Sequence, residues 1–153
     1  MQVEIPPYGR IKTSVQRAYS ISSAPSGKNE VEFLIWRVPG GIVTTYIHDY
    51  LKEGDSLNLI GPFGDFERTE DNSVMVCVAG GSGMAPFKSI LLDMYESNDN
   101  QREVWYFFGA RTAKDMYYLK EMSDLKEKLP NFHFVPSLSE TLETGSGKVN
   151  AEL

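Results

Sequence analysis

The chain has 153 residues, a length that makes one ordinary domain or two very small ones. Hydrophobic residues at 41 % supply a real core, and a net charge of −6 argues against a general nucleic-acid binder, so any bound phosphate must be held by local donors. The lone cysteine, Cys77, excludes an internal disulfide framework, and neither His48 nor His133 has a Cys or His at ligand spacing, which leaves no evident metal site.

Gln2–Ile5 reads as a short strand stopped by Pro6-Pro7, and Tyr19–Ser23 as a second, ended by the turn signal Ala24-Pro25-Ser26-Gly27. Glu30–Val38, rich in Val, Phe, Ile and Trp, has the clearest strand pattern and stops at Pro39-Gly40-Gly41. Thr44–Leu51 has helical spacing of Tyr46, Ile47, Tyr50 and Leu51, and Ser56–Ile60 returns to strand before Gly61-Pro62-Phe63-Gly64. The polar stretch Arg68–Ser73 reads as a linker, after which the rhythm changes. Val74–Ala79 is a near-continuous apolar run, the pattern of a parallel strand buried on both faces. A helix over Ala85–Tyr95, a strand over Glu103–Phe108, a helix over Ala113–Leu129 and a strand over Asn131–Pro136 follow. The expected fold is therefore two-part: a partial antiparallel β-barrel over residues 1–67, then an α/β parallel-sheet nucleotide-binding domain over 68–153.

No apolar run approaches the ~18–20 residues that span a bilayer. Met1 leads straight into strand-like residues and not into a signal peptide. The expectation is a soluble, cytoplasmic chain that reaches a membrane only through another segment or subunit. Cys77, inside the apolar run, reads as a small buried hydrophobe.

The residues that carry chemistry fall in both halves. Arg17, Tyr19 and Ser20 offer a guanidinium, a flat phenol and a hydroxyl along one extended segment. That set suits a flavin, whose pyrophosphate takes the Arg fork and whose ring takes the phenol. An edge strand with an exposed Arg and a half-buried Tyr accounts for the same residues. Gly40-Gly41 leads into Val43, Thr44 and Thr45 at a helix start, where free N–H groups and the positive dipole end attract an anion; a plain Thr44 cap is the other reading.

The run Gly80-Gly81-Ser82-Gly83-Met84-Ala85-Pro86 lies at the carboxyl end of the first parallel strand, the edge where open α/β sheets bind ligands. It lacks the third glycine of G-x-G-x-x-G and the Gly-Lys-Ser/Thr of the P-loop, and Met84 breaks the hydrolase spacing G-x-S-x-G. A glycine turn that merely allows tight strand-to-helix packing is the alternative. Arg111, closing Phe108-Gly109-Ala110-Arg111, and Ser139, closing Ser137-Leu138-Ser139, reach the same edge.

In this order the residues resemble the ferredoxin–NADP reductase family, which includes the reductase modules of oxygenases and quinone reductases. The flavin motif R-x-Y-S matches Arg17, Tyr19 and Ser20, and the flavin-phosphate segment matches Gly41, Val43, Thr44 and Thr45. The joining Gly-Pro-Phe-Gly matches Gly61–Gly64, and G-G-[ST]-G-x-x-P matches Gly80, Gly81, Ser82, Gly83, Met84 and Pro86. Glu4-Ile5-Pro6-Pro7 and Phe108-Gly109-Ala110-Arg111 look most like the flavin subunit of the sodium-translocating NADH:quinone reductase and its relatives.

The resemblance implies FAD as cofactor, NAD(P)H as electron donor with NADH favoured over NADPH, and an iron–sulfur domain or protein as electron acceptor. It implies Ser20 and Ser82 beside the hydride path; by their place at the sheet edge, Arg111 is a candidate contact for an adenosine ribose or phosphate and Ser139 for the border of the nicotinamide nucleotide. The family's Cys-Gly-Pro-Pro segment and a four-cysteine iron–sulfur segment have no counterpart here. The expectation is a chain that begins partway through the barrel and stops before the nucleotide domain is complete. A non-catalytic fragment or interaction subunit that keeps the fold is the rival reading.

Overall fold

In the computed structural model, residues 1–25, 29–99 and 101–140 are described. Two three-stranded sheets organise them, one antiparallel with order β2-β1-β3 and one parallel with order β4-β5-β6. In the first, β1 (Gln2–Ile5) lies between β2 (Val15–Ala18) and β3 (Asn58–Ile60), with Val3 opposite both Arg17 and Leu59. Alternation decides its faces: Val3 and Ile5 are fully buried, while Glu4 accepts from Gln16 Nε2 and Asn58 Nδ2, both at 3.1 Å. One carboxylate thus ties all three strands on their wetter side. Helix α1 (Ile42–Asp49) begins directly after Gly41 and buries Val43 and Thr44.

Two strand expectations in this half are corrected. The ladder runs over Val15–Ala18 and not over Tyr19–Ser23; beyond it Tyr19 N donates to Met1 O at 2.9 Å and Ile21 forms one isolated bridge with Phe33. Glu30–Val38 forms no ladder at all apart from that bridge. Its backbone is engaged piecemeal: Ser22 N donates to Glu32 O, Gly41 N to Val38 O and Val38 N to Thr44 Oγ1, and the Ile35 carbonyl oxygen meets His48 Nε2. A strand-like composition here serves a strip packed between the two halves.

The parallel sheet comprises β4 (Met75–Gly80), β5 (Val104–Ala110) and β6 (Phe132–Leu138), with Gly80 opposite Gly109 and Ala110 opposite Leu138. Helix α2 (Ala85–Glu96) and helix α3 (Leu119–Lys128) supply Leu91, Met94, Met122 and Leu125 to one core with Cys77, Tyr106 and Phe108. That core lies on a single face. Val76 and Val78 are 62 % and 70 % exposed, which corrects the expectation of a strand buried on both sides. The alternation in β5 follows suit: Tyr106 and Phe108 are buried, while Trp105 and Phe107 stack with each other on the open face.

The long helix expected over Ala113–Leu129 is divided. Thr112 and Asp115 cap one another reciprocally around a 3₁₀ turn at Ala113–Asp115, and Tyr118 then adopts φ 56° before α3 starts. Between the halves, the buried Arg102 holds the 68–73 stretch through Nε to Ser73 O at 2.8 Å, Nη1 to Thr69 O at 2.7 Å and Nη2 to Thr69 Oγ1 at 2.9 Å.

Candidate functional site

The carboxyl ends of β4, β5 and β6 look across at β2 and the start of α1, and a cleft of ≈ 1210 Å³ lies between them. Ligand sites for one small molecule occupy ~300–1,000 Å³. The cleft exceeds that range.

On the wall of the antiparallel half, Arg17 is exposed at the end of β2 and donates Nη1 to Gln16 O at 2.7 Å, leaving the rest of its fork to a ligand. Tyr19 is half-buried, and its hydroxyl is pushed up from the ordinary phenol value by that burial, with the nearby Arg17 charge opposing. Gly40, Gly41, Val43 and Thr44 line the same wall. Gly41 is required there: a Cβ at that position would meet Thr44 Oγ1 at 2.5 Å and Val38 at 3.1 Å. No side chain caps α1, and its first-turn residues Ile42, Val43 and Thr44 line the cleft. The Thr44 hydroxyl is not free for a ligand. It accepts from Val38 N at 3.2 Å and lies 3.4 Å from the carbonyl oxygens of Val38 and Gly41.

On the opposite wall the glycine run divides in two. Gly80, Gly81 and Ser82 line the cleft, Gly81 with φ 54°, a conformation glycine adopts without strain. Gly80 packs its α-carbon against β5, since a Cβ there would sit 3.2 Å from Gly109 O. Gly83 and Pro86 stand outside the lining, and the Met84 side chain is fully buried in the α/β core, where it anchors α2. Arg111 and Ser139 also line the cleft, and Arg111 is held by Glu140. Asp115 lines it too, its carboxyl held below the usual carboxylate range by the Thr112 hydroxyl and N–H.

Ser20 and Thr45 lie outside the lining, Ser20 exposed one residue beyond Tyr19. The residues that sequence reading missed are Trp36 and Tyr117, whose rings meet across the cleft at 6.0 Å. The signal for Trp36 was the alternation Leu34-Trp36-Val38, which places all of them on one side. Among the described residues no group of three or more His, Cys, Asp or Glu is arranged to hold a metal ion, and no helix is long and apolar enough to cross a membrane.

Residues 5–68 match the family described as oxidoreductase FAD-binding domain, and residues 75–153 that described as oxidoreductase NAD-binding domain. The reductase component of propane 2-monooxygenase from Mycolicibacterium goodii is 39 % identical over 132 residues, covering 86 % of this chain and 38 % of that protein. A component of the Na⁺-translocating NADH-quinone reductase of Klebsiella pneumoniae is 34 % identical over 142 residues, covering 86 % of this chain and 34 % of that protein. The solved cytochrome P450 reductase of Amycolatopsis superposes with a TM-score of 0.76 at 34 % identity, over 91 % of this chain and 42 % of that one. The chain thus spans a little over a third of the length of the curated relatives it matches.

Proposed function

Because the chain belongs to the oxidoreductase family that joins an FAD-binding domain to an NAD-binding domain, we propose that it takes a hydride from NADH to FAD and passes single electrons on to an iron–sulfur domain or protein. The observation that carries this reading is the single cleft with Arg17, Tyr19 and the bare start of α1 on one wall and Gly80–Ser82 on the other. Residues 1–67 are the flavin half in this proposal, and residues 68–153 the nucleotide half.

The uncapped first turn of α1 offers N–H donors to a flavin phosphate, Gly41 lets that phosphate approach the backbone, and Arg17 adds a permanent charge. Tyr19 presents a half-buried ring face on which a flat heterocycle can lie. Val43, Thr44 and Thr45 act through backbone and packing, since Thr44 has already committed its hydroxyl. The flavin, when bound, supplies the chemistry of accepting an electron pair and releasing it one electron at a time.

Gly80, Gly81 and Ser82 would meet the nicotinamide nucleotide, with Gly83, Met84 and Pro86 holding the turn and helix in place behind them. Ser82 lines the cleft and Ser20 does not, which supports Ser82 over Ser20 beside the hydride path. Arg111, Asp115 and Ser139 border the adenosine end. Glu140 occupies the Arg111 guanidinium and Asp115 adds a second carboxylate, so an extra phosphate meets a neutralised site. That supports NADH over NADPH.

The test is a flavin titration of Arg17→Ala followed by fluorescence quenching. Loss of affinity on the order of ten-fold or more is expected from removing a charge-assisted contact. Unchanged affinity would remove the phosphate assignment.

A further inference from the structure

The 30–38 strip makes contacts in both halves of the molecule. Phe33 bridges Ile21, the Ile35 carbonyl oxygen meets His48 Nε2 at 3.1 Å, and Arg37 Nη2 meets Asp49 Oδ2 at 2.7 Å, all within the antiparallel half. Leu34 and Trp36 go the other way, to the α/β core and to Tyr117. Glu32 reaches both halves.

Three donors from different parts of the fold converge on Glu32 Oε1: Lys88 Nζ at 2.5 Å, the Tyr118 hydroxyl at 2.7 Å and Ser22 Oγ at 2.9 Å. Lys88 belongs to α2, the helix that follows the glycine turn, and its side chain is only 8 % exposed. Its ammonium also lies 4.0 Å from the centroid of the Tyr118 ring. Tyr118 is the residue in the left-handed region that breaks the expected helix, and it adjoins Tyr117 of the cleft lining. Next to Lys88, Ser89 Oγ donates to Ser23 O at 2.6 Å. Partial burial works against the Glu32 charge, yet the bonds from Lys88, Tyr118 and Ser22 hold its carboxyl below the usual range.

A buried lysine needs its counter-charge, and a tyrosine in a strained backbone needs something to hold it there. One carboxylate does both, and it is carried by the strip whose next alternate residues line the cleft. We propose that Glu32 is a positioning residue that fixes how the two walls of the cleft face one another, and so how the nicotinamide nucleotide meets the flavin on the reading of the cleft given above.

The test uses the full chain with spin labels at Lys12→Cys and Lys126→Cys, one exposed position in each half; Cys77, 1 % exposed, stays unlabelled. Pulsed electron resonance then gives the distance distribution between the labels in the parent, Glu32→Ala and Lys88→Met. The proposal expects a wider or displaced distribution in both variants, with Glu32→Gln intermediate because it still accepts from Tyr118 and Ser22. Flavin affinity should stay at the parent value, while kcat for NADH oxidation falls on the order of ten-fold, the kind of loss that misplacement of reacting groups brings.

A distribution unchanged from the parent in Glu32→Ala and Lys88→Met overturns the proposal. Should either variant lose its cooperative melt, Glu32→Gln decides by the same criterion. If the parent binds no flavin, the reading of the cleft fails, and the distance distribution alone decides for or against Glu32.

Discussion

Arg111, at the carboxyl end of β5, gives both Nε and Nη2 to one carboxylate oxygen of Glu140, at 3.0 and 2.6 Å. Glu140 N in turn donates to Arg111 O at 2.9 Å, so side chain and backbone lock the ends of β5 and β6 together. The cation that sequence reading singled out for a nucleotide phosphate is therefore already partnered. Both side chains are well exposed, so the pair is screened and contributes little to stability.

Glu140→Ala should release Arg111 and narrow the preference for NADH over NADPH several-fold, mainly by lowering KM for NADPH. Comparing kcat/KM for the two nucleotides checks this. An unchanged ratio would show that Glu140 plays no part in the choice.

Three glycines should respond differently to alanine. Gly41→Ala places a methyl 2.5 Å from Thr44 Oγ1 and should cost about 1–3 kcal/mol by overpacking. Gly81→Ala pays for φ 54° at about 1 kcal/mol. Gly83 has open space around its α-carbon and no positive φ, so Gly83→Ala should be near neutral. Urea unfolding of the three variants tests the order.

Arg102 satisfies Thr69 and Ser73 from a position 6 % exposed. Arg102→Ala leaves those carbonyl oxygens without their donor and should destabilise the chain by about 1–3 kcal/mol. Added protease cleavage within 68–73 should accompany the loss. A variant as stable and as resistant as the parent would mean that the stretch is held by something else.

Burial pushes the Cys77 thiol up to about 11. Its folded value lies above its ordinary one of 9.0, so the native state keeps the proton longer than the unfolded chain. The stability this contributes is fully present below that ordinary value and is lost as pH rises from there towards about 11. A thiol reagent at pH 8 should accordingly react only at the rate of unfolding, and become fast in denaturant. Rapid reaction of the native chain would contradict the buried placement.

What sequence reading recovered was local. Gly80–Ser82 were legible because a glycine turn after an apolar strand is set by neighbours in the chain, and Gly41 was legible for the same reason. The fate of Glu30–Val38 was not, because period-2 alternation is identical for a laddered strand and for a strip that makes contacts in both halves. Tyr118 was also illegible: a tyrosine in the left-handed region has no composition signal, and the bond from its hydroxyl to Glu32 joins residues 86 positions apart. Val74–Ala79 carried too strong an inference from composition, since apolar residues do not say whether helices lie on one face or both.

Whether one cleft holds a flavin and a nicotinamide nucleotide close enough to react is decided by the visible spectrum of the purified chain with FAD, recorded anaerobically before and after NADH. The expected result is a protein-bound flavin spectrum that bleaches with NADH, faster than with NADPH. Bound flavin that keeps its colour after NADH, or no bound flavin at all, would contradict it.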